Sequence, residues 1–307
     1  MVISTYCPQS RGVIVDIDVD GADTLSFVDP SRVHAFATGN FPAEYSEVTE
    51  LAKKCEKDVL SFFTFAASTQ IEGTGASLDE LFTHFHEPKE NRLGFSPTSQ
   101  GTCLGDILED TFKTAVCERI RSFYERYHGL YSSPHIFLET TNIARDRTSD
   151  IVVRVSFKAF AEYTLMKARQ WGLTNFRSVS SDYWDSETNS WKTGEFNLPF
   201  VPRAKTGNEP CLLFTPQKLA AHTDHISSVY SYLLAAYARY EKQKDILSGA
   251  VNPTPCKKRR EQLHQQCPNR ESLLNFIRGS MSPEEQAEML SFSQDRYVSW
   301  LVDRYSI

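Results

Sequence analysis

Between Pro42 and Ala67 the chain sets Val48, Leu51, Ala52, Cys55, Val59, Phe62 and Phe63 at intervals of three and four residues. A period near 3.6 residues gathers these positions on one face of an α-helix. A helix so long, and so apolar on one side, has to bury that side, so its neighbours must supply a core. With 307 residues, 40% of them hydrophobic, the chain has material for one large core or two modest ones.

The neighbours read as a mixture of helices and strands. "GVIVDIDVDG" alternates apolar and acidic residues, which predicts a strand turned by Gly21, with "TLSFVDP" returning as its partner. Asp16, Asp18, Asp20 and Gly21 also match the first half of a calcium loop, but its twelfth position holds Phe27 instead of a bidentate Glu. Ser77 with Glu80 forms a capping box for a short helix, and residues 106–129 read as a helix closed at Gly129. "HIFLETTNI" (135–143) reads as a strand, followed by a helix that begins near Ser149 and closes at Gly172. Residues 176–200 predict two strands around "DSETNS". A third strand, 209–214, runs into a helix capped by Thr215 with Pro216 at its first position. Residues 228–243 and the tail after Ser282 and Pro283 complete the helices. The expected architecture is α+β, a mixed sheet with clustered strands flanked by long helices and a helical C-terminal region. The expected division is a main domain over 1–245, a basic Pro-rich linker over 246–270 and a helical segment over 271–307.

Bulk properties narrow the function classes. The 33 Lys and Arg stand against 39 Asp and Glu, so the net charge of −6 advertises no broad nucleic-acid surface. Seven cysteines, an odd number without a CxxC pair, read as reduced thiols and point to the cytoplasm. No export signal is visible, and no apolar run nears the roughly 20 residues that span a bilayer, so no membrane partner is expected. Walker, dinucleotide-binding, G-x-S-x-G and HExxH motifs are all absent from the sequence.

The densest chemistry lies in "NIARDRTSDIVVRV" (142–155). Glu139 at the end of a strand, Asp146 in a loop and Asp150 in the first turn of a helix can converge on Mg²⁺ or Mn²⁺, with Arg147 placed to meet a phosphate. The plain alternative is a braced helix start, with Ser149 as cap, Asp150 against the helix dipole and Asp146 paired with Arg145 or Arg147. Asp23 and Asp29 join the same site if the first hairpin lies against it. His84 and His86 with Glu87, and His222 and His225 around Asp224, have ligand-like spacing but no third ligand fixed by sequence. Cys256, His264 and Cys267 flank "KKRR" without the second pair that a zinc finger needs, and the basic run suits a solvated arm or a phosphate contact. Trp184 and Trp191 suit a cross-strand pair, with base stacking as the alternative.

Four segments, "DTLSFVDP", "RLGFSPTSQGTCLGDIL", "IARDRTSDIVVRVSFKAFAEYT" and "WKTGEFNLPFVP…EPCLLFTPQKL", together resemble an uncharacterised bacterial family found near restriction and phage-defence genes. The chain departs from that pattern at Ala144, Thr148 and Leu165. The resemblance implies a component of a defence system against phage or foreign DNA, with a protein partner from the same operon. The acid cluster turns that into two expectations, a metal-dependent nuclease acting on nucleic acid or a non-enzymatic adaptor or sensor that docks a partner.

Overall fold

The computed structural model describes residues 2–19, 23–72, 78–94, 136, 145–202, 209–221 and 229–305. The chain divides into two units, Met1–Thr223 and Asp224–Ile307. The division falls ahead of residue 245, which lies inside a helix of the second unit.

The first unit is organised on the expected long helix. Helices α1 (Ile3–Tyr6), α2 (Pro30–Thr38), α3 (Ser46–Glu72) and α4 (Leu78–Phe82) are followed by α5 (Arg145–Val155) and α6 (Phe157–Gln170). The fully buried Phe62 of α3 meets Phe82, Phe85, Trp184 and Trp191 at ring distances of 5.1–5.8 Å, so α3, α4 and the hairpin share one aromatic core. Ser156 divides the expected 149–172 helix in two. Gly172 closes α6 with a φ of +71°, and Leu173 N–H donates to Ala168 O, a left-handed helix end.

Strands β2 (Phe176–Asp185) and β3 (Ser190–Pro199) pair antiparallel from Phe176↔Pro199 to Asp185↔Ser190, as the pattern predicts. The other ladder corrects an expectation. Strand β1 (Phe27–Val28) pairs antiparallel with β4 (Ala220–Ala221), not with residues 13–19. Residues 13–19 instead lie beside Pro216 and Val2, where Val15 N–H donates to Thr215 O and Ile3 N–H to Ile17 O. Asp16 accepts from the Ser4 N–H and Oγ at 2.9 and 2.7 Å, so the first member of the supposed calcium loop is spent locally.

The fold is thus α+β, with its described strands in two two-stranded antiparallel ladders. Two further readings are corrected. Thr215 caps no helix: it is fully buried and donates to Asn91 Oδ1 at 2.7 Å, and residues 217–219 only turn. Of the strand expected over 135–143 only Ile136 is described, and it is helical and buried. The helix expected over 106–129 lies outside the described residues.

The second unit consists, in its described residues, of helices α7 (Val229–Leu247), α8 (Cys256–Gln266), α9 (Arg270–Ser280) and α10 (Pro283–Tyr305). The expected basic linker contains α8, because Leu263 is buried and fastens one side of the basic run to the unit. Ser282 and Glu285 cap α10 reciprocally at 3.3 and 2.9 Å. Among the described residues no helix is long and apolar enough to cross a membrane.

Candidate functional site

Helix α5 begins at Arg145, one turn earlier than expected, and this changes the role of every residue in the 146–150 cluster. Asp146 lies in the first turn, not in a loop. Asp150 follows four residues later on the same face, inside the helix. Ser149 is no cap: its buried Oγ accepts the Val28 N–H at 2.9 Å and pins β1 to α5. Arg147 lies about 100° round the helix from Asp146, half-buried. Glu139 lies outside the described residues.

Two other segments meet this face. Thr24 N–H donates to Arg92 O at 2.9 Å and Gly94 N–H to Thr24 O at 3.1 Å, so residues 23–25 run beside 92–94. That pairing brings Asp23 next to Gly94. A Cβ on Gly94 would stand 2.7 Å from Asp146 Oδ1 and 3.8 Å from Asp23 Oδ2, and the Gly94 φ is +154°. A side chain there would have to displace the Asp146 carboxylate and would hold the backbone at a φ that favours glycine.

The electrostatics register the crowding. Burial pushes the Asp150 carboxyl well above its usual range, and the charges of Asp146, Glu87 and Asp23 push the same way, against Arg154. Burial also raises Glu87, with Asp23 adding to it and Lys89 opposing. Arg154 is itself buried and acts on Asp150 only through space. Its guanidinium donates to His86 O (2.8 Å), Glu87 O (3.2 Å) and Ser181 Oγ (2.6 Å). It therefore fixes the backbone that carries Glu87. Four carboxylates from three segments share one corner, yet among the described residues no group of three His, Cys, Asp or Glu is arranged to hold a metal ion.

Of the acids singled out in the sequence, Asp23 joins Asp146 and Asp150 here and Asp29 does not. Asp29 Oδ1 accepts Ser31 N–H at 2.9 Å as the cap of α2, and Asp29 pairs with Arg32 at 3.8 Å. Glu87 belongs to the corner through its carboxylate, whereas its spacing had suggested partnership with histidines. His84 instead sits against Asp182 at 2.9 Å and stacks on Trp191, and His86 is exposed. His222, Asp224 and His225 lie outside the described residues. Cys256 Sγ donates to Ala238 O at 3.7 Å, and Cys267 is buried at the end of α8. Trp184 and Trp191 form the cross-strand pair, 5.9 Å apart. Trp184 donates to Ser61 Oγ and is 1% exposed, so it offers no face to a base. Gly94 and Arg154 are the contributors that sequence reasoning missed, and Glu87 was singled out only with the histidines.

A family model described as Domain of unknown function (DUF8370) matches residues 8–227. The chain belongs to the DUF8370 family. The DUF8370 match covers the acid corner and ends at residue 227, ahead of Val229, so α7–α10 lie outside it. No curated protein and no solved structure matches the chain.

Proposed function

We propose that the corner formed by Asp23, Glu87, Asp146 and Asp150 takes up Mg²⁺ or Mn²⁺ and that the protein hydrolyses phosphodiesters there. The observation that carries this reading is the meeting of Asp146 and Asp23 at the Gly94 backbone, with Asp150 one turn along the same helix; burial, and after it the charges of Asp146, Glu87 and Asp23, raise the Asp150 carboxyl. Like charges crowded in this way are relieved by a cation or by a proton. The Gly94 backbone cradles the Asp146 carboxylate beside Asp23, which suits oxygen ligation. Asp146 and Asp23 would hold the ion, with Glu87 at the edge, and the ion when bound supplies Lewis acidity toward the phosphodiester. Burial first, and then the charges around it, favour the protonated form of the Asp150 carboxyl, and a cation bound in the corner would favour release of that proton. Arg147, the next residue on α5, would position the phosphate. The reading places the protein in the bacterial cytoplasm, as an effector in defence against phage or foreign DNA. The support for that setting is the four-segment resemblance.

A non-enzymatic adaptor that docks a partner protein is the second reading. The specific observation in its favour is the lack, among the described residues, of a three-ligand metal group.

The test is cleavage of DNA and RNA by the purified chain with Mg²⁺, Mn²⁺ or chelator. Metal-dependent cleavage is expected, falling at least about 100-fold in Asp146→Asn and Asp150→Asn at equal folded fraction. Inert wild-type protein on every substrate supports the adaptor. Cleavage undiminished by Asp150→Asn removes the site.

A further inference from the structure

Of the large apolar side chains that the fold leaves in water, Ile246, Leu247 and Val251 stand within six residues of one another, 49%, 77% and 92% exposed. They form the elbow between α7 and α8, where the chain turns at Gly249 with φ +84°. The elbow is a built feature. The Arg259 guanidinium pairs with Asp245 at the end of α7, Arg259 Nε donates to Thr254 O at 3.3 Å, and Cys256 Sγ donates to Ala238 O at 3.7 Å. With Arg259 turned inward, Lys257, Lys258 and Arg260 of the same run are left exposed in the first turns of α8, the helix that the elbow leads into. The second unit carries 11 Lys and Arg against 10 Asp and Glu, so it lacks the acidic excess of residues 1–223.

Exposed aliphatic side chains at a rigid turn are costly in water and mark a contact surface. A nucleic-acid phosphate backbone would use the cations but gains nothing from Leu247 or Val251. An anionic lipid surface uses both, since aliphatic groups enter the headgroup boundary while flanking Lys and Arg meet negative headgroups. We propose that the α7–α8 elbow docks on an anionic lipid surface, with Ile246, Leu247 and Val251 entering the interface and Lys257, Lys258 and Arg260 against the headgroups. The protein then lies on such a surface without spanning it.

Co-sedimentation of the full chain with vesicles tests this, comparing phosphatidylcholine alone with phosphatidylcholine containing about a third phosphatidylserine. Binding is expected to the anionic vesicles only and to weaken with added salt. The pair Lys257→Glu/Lys258→Glu is expected to weaken it by about 30-fold or more, and Leu247→Ser/Val251→Ser by roughly tenfold. All four positions are exposed, and an unchanged far-ultraviolet circular dichroism spectrum confirms that each variant folds. Failure to bind anionic vesicles overturns the proposal, as does binding that either double variant leaves intact. Binding to duplex DNA that the lysine pair abolishes and the Leu247/Val251 pair does not would assign the elbow to nucleic acid instead.

Discussion

The Oγ of Ser149 accepts the amide hydrogen of Val28 at 2.9 Å, across 121 positions of sequence and out of contact with water. This one bond ties the β1 edge to the helix that carries Asp146 and Asp150. Ser149→Ala strands a buried N–H, a loss of about 1–3 kcal/mol. Denaturant unfolding is expected to show a lower midpoint with an unchanged slope.

Gly94 offers a more local test of the acid corner. In Gly94→Ala the new methyl group collides with Asp146 Oδ1, while the backbone is held at a φ that L-residues avoid. A destabilisation of about 1–3 kcal/mol is expected from strain and displacement together. If the corner binds a cation, the increase in Tm produced by Mn²⁺ should shrink as well. A Tm and a Mn²⁺ response both equal to wild type would contradict the described contact.

Asp58 of α3 accepts Ser186 Oγ at 2.8 Å beneath the β2–β3 turn. Burial raises its carboxyl to about 7 against the Ser186 hydrogen bond and the charges of Lys57 and Lys158, with Asp185 adding to the rise. The folded protein therefore binds this proton more tightly than the unfolded chain does. The resulting stability is fully present below the ordinary carboxylate range and is lost as pH climbs toward 7, at up to about 1.4 kcal/mol per unit. Asp58→Asn removes the titration and keeps an acceptor for Ser186. The variant should match wild type near pH 4 and exceed it in stability near pH 8. Parallel stability–pH curves for the two proteins would refute this.

Legibility followed how far each element depends on distant chain. Helices α3 and α6 and the β2–β3 hairpin declare themselves because 3.6- and two-residue periods are local and Gly172 marks a stop. Helix α2 went unread although Asp29 caps it and Pro30 takes its first position, because the alternating residues before it suggested a hairpin that does not form. The partner of β1 lies near Ala220, and local pattern carries no trace of that pairing. The same limit governs the acid corner. Asp146 and Asp150 are visible as a cluster, whereas Asp23 arrives through the tertiary pairing of Thr24 with Arg92 and Gly94, and Glu87 on backbone that Arg154 holds. Glu87 was noticed for the wrong neighbours, since "HFHE" draws attention to its histidines. Thr215 shows the converse error, a capping residue by composition whose hydroxyl is claimed by Asn91 in the core.

Asp150 couples the stability of the fold to the chemistry proposed for it. Burial and three neighbouring carboxylates raise its carboxyl, so the folded state holds a proton there that the unfolded chain would release. Stability from this group is thus greatest at low pH and declines as pH rises through and above the usual carboxylate range. Asp150→Asn relieves that penalty, and at neutral pH without divalent ions the variant should melt above wild type. Added Mn²⁺ should reverse the order, because the cation stabilises the ionised cluster in wild type and finds one carboxylate fewer in the variant. Calorimetric titration should also record proton release on Mn²⁺ binding to wild type, visible as a heat that changes with the buffer's ionisation enthalpy. A variant that responds to Mn²⁺ as strongly as wild type would mean that the four acids brace the fold and hold no ion.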